Sequence, residues 1–244
     1  PFVREDDILW TKRYLNLINL KERPNLPLYF PIEPVSMGRK KYRTSLAHLL
    51  IEKVKVGEIT AYDETPEDYF TEVITPEEIS KMLSRVDSTE EEDFFTGDWS
   101  WEYDTIQIKA KDAIGFYVLE DKFFDKKRSV LDSRIIGLAL IANKEDPETG
   151  EPSPEVLFWV WYPEVRQLLA NNFLIVDNQK YVGTKHMTYD EFLTKRLYTS
   201  RIIKETNMYD RAIYDYKKTL MHELLEADRI KNDIRYLESD LWEY

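Results

Sequence analysis

Cysteine is absent from this 244-residue sequence, and histidine occurs only three times. Without cysteine the chain cannot form disulfide bonds, use a thiol nucleophile or bind a metal through thiolate ligands. Glycine and proline are also sparse, at seven and eleven residues, which excludes collagen-like and low-complexity chains. No hydrophobic run approaches about 18 residues, so we expect no membrane span within the sequence.

The residues that are present favour a folded chain with a large core. Hydrophobic residues make up 43% of the sequence and aromatic residues 14%. Intrinsically disordered chains are poor in both, so that class is excluded. A chain of this length buries roughly 70–75% of its unfolded surface and forms one large domain or two small ones. Composition therefore predicts a globular protein without indicating what it does.

The acidic excess is concentrated in one segment. The formal net charge is −12, and residues 64–98 hold twelve acidic residues against only Lys81 and Arg85. Because the rest of the chain is nearly neutral, we do not expect a nucleic-acid partner, which needs a basic face. The acidic segment is interpreted either as a solvated connection between elements or as a docking surface for a basic partner.

Two groups of residues are candidates for partner binding. A basic cluster of opposite sign to the acidic segment comprises Arg39, Lys40, Lys41 and Arg43. The two charged regions could pair within one chain or between copies in an assembly. Trp99 and Trp101 lie in the acidic region, in the sequence DWSWEY, and either pack back onto the body or meet a partner.

Periodicity and capping signals predict an α+β protein with short, mostly antiparallel strands and a long C-terminal helix. Helices are expected at residues 45–55, 164–170 and 215–241, and from the Thr-x-x-Glu capping boxes at 75–78 and 188–191. Strands are expected at residues 59–62, 105–109, 113–119, 134–142, 156–162 and 173–176, with an antiparallel pair at 134–142 and 156–162. Other expectations are a strand or partly a helix at 8–20, a brief edge segment at 28–30 and an exposed loop at 143–154.

Two apolar patterns predict packing. Heptad-like spacing in the C-terminal helix indicates either a coiled-coil seam or packing on the chain's own body, and involves Leu220, Leu224, Ala227, Ile230, Ile234, Leu237 and Leu241. Residues 28–30 and 157–162 are expected in the core. On that expectation Trp161→Ala costs about 3–5 kcal/mol of stability.

The chain is expected to be one domain, residues 1–244, whose two halves are similar in pattern. In each half an apolar run ending in proline precedes a Leu-Leu helix, a short strand and a Thr-capped helix. This order suggests an internal duplication of residues 8–86 and 105–199, followed by a C-terminal helical segment at 200–244. Repeats are common in scaffolds and carry no reaction by themselves.

The sequence lacks the motifs of common catalytic sites. It has no phosphate-binding glycine loop and no G-x-S-x-G turn. His222 opens a zincin-like helix sequence, but Glu226 stands where the second histidine is needed, so a solvated helix face is the simpler interpretation. We therefore expect an assembly or binding role with no enzyme activity, metal or cofactor. The alternative is a carbohydrate-binding or glycoside-acting protein that uses Trp99, Trp101 and nearby carboxylates.

Six segments carry a family resemblance over most of the chain. They are residues 7–34 (DILWTKRYLNLINLKERPNLPLYFPIEP), 45–62 (SLAHLLIEKVKVGEITAY), 121–140 (DKFFDKKRSVLDSRIIGLAL), 156–169 (VLFWVWYPEVRQLL), 192–210 (FLTKRLYTSRIIKETNMYD) and 225–244 (LEADRIKNDIRYLESDLWEY). The ER-N-x-PLYFP core, the LFWV-x-YP run and the DLWEY ending are the most specific pieces. Together they resemble the gliding-motility protein N family (GldN/PorN) of the type IX secretion system of Bacteroidetes.

The resemblance implies a non-catalytic structural component of the secretion and gliding machinery. It implies a periplasmic location at the inner face of the outer membrane, after export by a signal peptide that is not in this sequence. The partners that it implies are an outer-membrane ring lipoprotein (the K component), the periplasmic region of the inner-membrane M component and further copies within a ring. It implies no cofactor, no nucleic acid and no direct membrane span.

Overall fold

The computed structural model of the chain describes residues 3–36, 42–63, 70–92, 99–145, 152–177 and 184–242. It gives the backbone alone for residues 42, 85–92, 99–106, 145, 177, 184–185 and 241–242. Within these ranges the strands are β1 (Ile8–Asn19), β2 (Val35–Ser36), β3 (Tyr42–Arg43), β4 (Ala61–Tyr62), β5 (Val73–Ile74), β6 (Ser84–Glu92), β7 (Trp99–Gln107), β8 (Ala113–Asp125), β9 (Val130–Glu145), β10 (Pro152–Trp161), β11 (Phe173–Asp177), β12 (Thr184–Thr188) and β13 (Arg201–Glu205). The α-helices are α1 (Leu26–Tyr29), α2 (Leu46–Lys55), α3 (Pro76–Met82), α4 (Tyr162–Asn171), α5 (Tyr189–Thr194), α6 (Ile213–Tyr216) and α7 (Leu220–Trp242).

Seven of the described strands form one sheet in the order β13-β1-β8-β9-β10-β4-β5. Every neighbouring pair in it is antiparallel. Three two-stranded hairpins, β2–β3, β6–β7 and β11–β12, lie outside this sheet. The predicted α+β class with mostly antiparallel strands is therefore confirmed, as is the pairing of 134–142 with 156–162.

The main core joins the sheet to helices α2, α3, α4 and α5. Local hydrogen bonds fix where these helices begin. The Ser45 hydroxyl accepts a hydrogen bond from the His48 N–H in the first turn of α2, and Thr75 and Glu78 form both bonds of a capping box at α3. At α5 the Thr188 hydroxyl accepts the Glu191 N–H. The predicted starts of α2, α3 and α5 are confirmed because capping depends only on neighbours in sequence. Helix α4, predicted from residue 164, begins earlier, at Tyr162, and has no side-chain cap; Pro163 fits its first turn.

A smaller apolar cluster surrounds Trp159. Its side chain is fully buried beside Leu119 and Ala139, and Phe70 meets its ring edge-to-face at 6.2 Å. Trp161 lies two residues further along β10, at the end of the strand, and is 44% exposed. The prediction that Trp161 is a core residue is wrong, because the aromatic side chains that cover Trp159 do not cover it.

Helix α7 packs against the body of the protein along part of its length. Ala227, Ile230 and Ile234 are buried in a cluster with Tyr14 of β1 and Ile202 of β13. This arrangement favours packing on the chain's own body over a coiled-coil seam for the middle of the helix. Leu220 and Leu224, at the start of the same apolar pattern, are exposed.

Several predicted elements differ in the structure. Residues 28–30 belong to the short helix α1 and its end rather than to an edge strand, because Pro27 fits the first turn of a helix, where no N–H is needed. Leu28 is buried as predicted, but Phe30 is 45% exposed. The C-terminal helix begins at Leu220 rather than at residue 215. The segment predicted as helical from residue 200 starts with strand β13, which holds two adjacent β-branched isoleucines.

The two expected irregular regions contain more strand than composition suggested. Within residues 64–98 lie β5, α3 and β6, so the acidic segment is not a simple connection. Around residues 143–154, β9 and β10 extend and pair as far as Glu145 and Pro152. Turn-forming residues predicted a loop there, but pairing with a long neighbouring strand overrides that local preference.

The two halves share an order of elements. In the first half α2 is followed by the β4–β5 hairpin and then α3, and in the second α4 is followed by the β11–β12 hairpin and then α5. Both final helices start at a threonine cap. The internal duplication stays a prediction, as does the single domain.

Candidate interaction site

The basic cluster is represented in the described structure by Arg43. Arg43 ends β3, which pairs with β2 through Val35 and Ser36. Arg39, Lys40 and Lys41 lie outside the described residues. The sequence places these three positive charges directly before β3.

Arg43 is held at the edge of an open groove. Its Nη2 donates a hydrogen bond to the Phe30 carbonyl oxygen at 3.2 Å. Its Nε is buried and has no hydrogen-bond partner among the described residues. A buried donor without a partner costs free energy.

Arg43 also contributes positive charge to the interior behind the groove. The Tyr189 hydroxyl is buried and donates to the Thr44 carbonyl oxygen. Burial raises the pKa of Tyr189, and the nearby Arg43 guanidinium acts in the opposite direction. Tyr189 therefore stays a neutral hydrogen-bond donor that anchors the end of β3 to α5.

The groove has a volume of about 730 Å³ and combines apolar walls with two arginines. Its apolar lining includes Phe30, Ile175 and Leu197, and its two cationic residues are Arg23 and Arg43. Phe30 and Leu197 are each more than 40% exposed. We call this feature the arginine groove. Its chemistry suits an apolar or aromatic segment that carries negative charge.

The arginine groove is built by residues of the ER-N-x-PLYFP motif. Asn25 is fully buried; its Nδ2 donates to the carbonyl oxygens of Asn19 (2.8 Å) and Thr199 (3.0 Å). In return the Thr199 N–H donates to Asn25 Oδ1 at 2.9 Å, and the Thr199 hydroxyl donates to Glu22. These bonds tie the wall that carries Arg23 to the wall that carries Leu197. Glu22 and Asn25 are thus structural, whereas Arg23 faces the groove.

Trp99 and Trp101 lie in β7, on the second strand of the β6–β7 hairpin. In the register of this hairpin Trp99 is opposite Glu92 and Trp101 is opposite Glu90. The side chains of both tryptophans lie outside the described residues, so the alternative of a sugar-binding aromatic cleft stays a prediction. Among the side chains that the structure describes, those that line the arginine groove come from other elements.

A third surface was not predicted from sequence as a site. Between Met208 and Leu225 the structure exposes a series of large apolar side chains, namely Met208, Tyr209, Tyr214, Tyr216, Leu220, Met221, Leu224 and Leu225. Met208 is 92% exposed and Met221 67%. The last four lie on one face of α7, next to the face that is buried. We call this series the C-terminal apolar surface.

The polar residues of the zincin-like sequence make local contacts. His222 contacts Thr219, and Glu226 binds Lys217 and Arg229, so the zincin-like sequence is a helix surface. Among the described residues no group of three or more His, Asp or Glu side chains is arranged to hold a metal ion. No helix in the described ranges is both long and apolar enough to cross a membrane.

Comparison with models of protein families assigns the chain to a family. The family model described as gliding motility associated protein GldN matches residues 3–243. The chain belongs to the GldN family. A comparison with individually curated proteins found no match. Membership of the GldN family confirms the resemblance and implies a component of gliding motility and type IX secretion.

Sequence reasoning found part of the site and missed part. It selected Arg43 from a run of positive charges, but it did not connect Arg43 with Arg23, which lies 20 positions earlier. The available signal for Arg23 was its place in the ER-N-x-PLYFP core, one of the most specific pieces of the family resemblance. The available signal for the C-terminal apolar surface was a second apolar stripe on α7, formed by Met221 and Leu225. It lies beside the predicted heptad-like stripe that begins at Leu220.

Proposed function

We propose that this GldN-family chain is a non-catalytic structural subunit of the type IX secretion and gliding machinery. In this proposal it forms a periplasmic ring with an outer-membrane lipoprotein, the K component, at the inner face of the outer membrane. It also contacts the periplasmic region of the inner-membrane M component. The chain would thereby link an outer-membrane ring to a shaft that transmits motion.

The observation that carries the proposal is the C-terminal apolar surface. Exposed apolar side chains scattered singly are normal, but a concentrated series on a folded protein marks a contact with another protein. Here it includes Leu220, Met221 and Leu225 on one helix face. When a partner covers an exposed leucine or methionine side chain, each Å² of apolar surface removed from water contributes roughly 25 cal/mol of favourable free energy.

A structural role also agrees with the state of the buried carboxylates. Glu120 is 2% exposed and is held by Arg196, and Asp125 is 4% exposed and is held by Arg128. A catalytic acid or base must be free to exchange a proton with a substrate. Both of these buried groups are instead bound in ion pairs that stabilise the fold.

The test is capture of the tagged full chain from its native cell envelope, with chemical cross-linking and mass spectrometry. We expect stoichiometric recovery of an outer-membrane lipoprotein and of a periplasmic region of an inner-membrane protein, with cross-links near residues 208–225. The variant Met221→Lys with Leu225→Lys should lose one of these partners while its circular dichroism and melting temperature stay unchanged.

A matched control separates this surface from exposed apolar residues in general. Leu9 in β1 is 55% exposed and lies outside the C-terminal apolar surface. Leu9→Lys should therefore retain both partners. Recovery of the wild-type chain alone, with no stoichiometric partner, would contradict the proposed function.

A further inference from the structure

The arginine groove holds two cations that no described residue neutralises. Arg23 and Arg43 both line it, and neither forms an ion pair within the described part of the chain. Carboxylates are nevertheless abundant, since 46 acidic residues outnumber 34 basic ones. Six other described arginines pair with carboxylates, namely Arg13, Arg128, Arg166, Arg196, Arg201 and Arg229. The two arginines of the groove are therefore suited to carboxylates that another molecule supplies.

The structure also fixes the position of one of these cations. Arg43 Nη2 donates a hydrogen bond to the Phe30 carbonyl oxygen at 3.2 Å, which holds the guanidinium at the edge of the groove. Arg43 Nη1 donates to no described residue. Because a guanidinium carries five N–H donors in a rigid plane, Arg43 keeps donors for a carboxylate without having to move.

Apolar side chains line the groove between and beside the two cations. Phe30 on one wall is 45% exposed and Leu197 on the other is 43% exposed, so both remain in contact with water. Phe192, only 1% exposed, completes the apolar lining from α5. Covering the two exposed side chains removes apolar surface from water and is favourable. The groove therefore selects for a molecule that carries both apolar groups and negative charge.

The shape of the groove favours a polypeptide segment over a small molecule. Its volume of about 730 Å³ is adequate for either. Sites for small molecules enclose most of the ligand surface, whereas this groove is open and its wall side chains are more than 40% exposed. The bonds of Asn25 to Asn19 and Thr199 tie the walls together, so a segment lying along the groove meets a preformed surface.

We propose that the arginine groove binds a short segment of another protein in which Asp or Glu residues alternate with aromatic or aliphatic ones. The carboxylates of the segment bind Arg23 and Arg43, and its apolar side chains cover Phe30 and Leu197. This inference goes beyond the proposed function, which rests on the C-terminal apolar surface. It gives the chain a second contact surface with a chemistry different from that of the first.

Selection from a phage library of random dodecapeptides tests the proposal without assuming a partner. The bait is the purified full-length chain, and peptides that also bind a groove variant are removed. The groove variant carries Arg23→Glu and Leu197→Glu, both at exposed positions, and should keep the melting temperature of the wild type. We expect the enriched peptides to combine acidic residues with phenylalanine, tryptophan, leucine or isoleucine.

Fluorescence polarisation with a synthetic copy of the most enriched peptide measures the contribution of the charges. Replacing its Asp and Glu by Asn and Gln should weaken binding at least about tenfold, because hydrogen bonds between charged groups are lost. Binding of the acidic peptide should also weaken as the salt concentration rises. Two control variants should bind like the wild type: Lys126→Glu, a charge reversal in the turn between β8 and β9, and Met221→Lys with Leu225→Lys on the C-terminal apolar surface.

Photo-cross-linking locates the peptide on the wild-type chain, independently of any variant. With benzoylphenylalanine at an aromatic position of the peptide, we expect cross-links to residues 23–30 and 192–197. No enrichment, enriched peptides without acidic residues, or cross-links elsewhere would overturn the proposal. Sedimentation velocity tests a second copy as the occupant: wild-type oligomers that the groove variant dissolves would overturn the assignment to another protein. Capture of the cell-envelope partners would survive each of these results.

Discussion

The buried carboxylate of Glu120 in β8 binds the guanidinium of Arg196, whose own backbone lies in the left-handed region at a φ of 52°. Arg196 follows the end of α5, and its N–H donates to the Leu193 carbonyl oxygen at 3.1 Å, as in a helix C-terminal cap. Glycine usually occupies such a position. We conclude that arginine is used here because its side chain neutralises a carboxylate that the sheet has buried.

Two substitutions of Arg196 distinguish the contribution of the ion pair to stability from the contribution of the backbone conformation. Arg196→Ala removes one of the two cations beside Glu120, since Lys122 Nζ lies 3.7 Å from the same carboxylate, and it keeps a Cβ at positive φ. It should therefore lower the free energy of unfolding by about 2–4 kcal/mol. The Arg196→Gly variant loses the same ion pair but relieves the backbone, and should be more stable than the alanine variant by about 1 kcal/mol. Urea denaturation measures both. Equal stability of the two variants would contradict the backbone argument.

The two tryptophans of β10 should differ sharply in their contribution to stability. Trp159 is fully buried against Phe70 and Tyr117, so Trp159→Ala should cost about 3–5 kcal/mol. Trp161 is 44% exposed, and Trp161→Ala should cost less than about 1 kcal/mol. Thermal and urea unfolding of the pair provide the comparison. A large loss for Trp161→Ala would show that its ring is buried after all.

Asn25 should be a main structural link of the arginine groove. Asn25→Ala removes three hydrogen bonds and leaves buried backbone groups without partners, which should cost about 2–4 kcal/mol. The helix-surface variant Asn232→Ala is the control, because its single contact with Arg235 is long, at 3.4 Å, and exposed. The prediction fails if the two asparagine variants unfold at the same urea concentration.

Asp125 should contribute a pH-dependent part of the stability. Its carboxylate accepts hydrogen bonds from Arg128 Nε and from the N–H groups of Lys127 and Arg128, and the Arg128 bond above all lowers the pKa of Asp125. The folded state thus holds the proton less tightly than the unfolded state, whose pKa is about 3.9. The contribution is complete above that pKa and is lost as the pH falls below it.

Comparison of Asp125→Asn with the wild type between neutral and acid pH measures this contribution. The variant should be less stable at pH 7, and the difference should shrink as the pH falls below about 4. Asp240→Asn, on the exposed face of α7, should leave the profile unchanged. A constant difference at all pH values would show that Asp125 does not titrate differently in the two states.

Features set by neighbouring residues were predictable from the sequence. The capping residues Ser45, Thr75 and Thr188 start helices where predicted, because each bonds an N–H three positions away. Gly57 adopts a positive φ of 76° just after α2, where glycine commonly ends a helix. The run at 134–142 is a strand, as predicted, and residues 137–142 are buried, as is typical of a continuous apolar sequence within a sheet.

Features set by distant residues were not predictable in this way. Whether Trp161 is covered depends on side chains from other parts of the chain, which periodicity within β10 does not reveal. The acidic hairpin forms because β6 meets β7 in register, although composition alone suggested a connection. Arg23 and Leu197 line one groove because Asn25 and Thr199 hold their two loops together. The family resemblance, by contrast, was carried by six segments spread along the chain, and it is confirmed by a family model that matches residues 3–243.

Electron microscopy of the complex purified from the cell envelope through a tag on this chain tests the proposed ring directly. We expect rings in which the chain recurs around the circumference, and we expect the Met221→Lys with Leu225→Lys variant to change their composition or abolish them. Homogeneous small particles that contain one copy of the chain and no outer-membrane lipoprotein would contradict it.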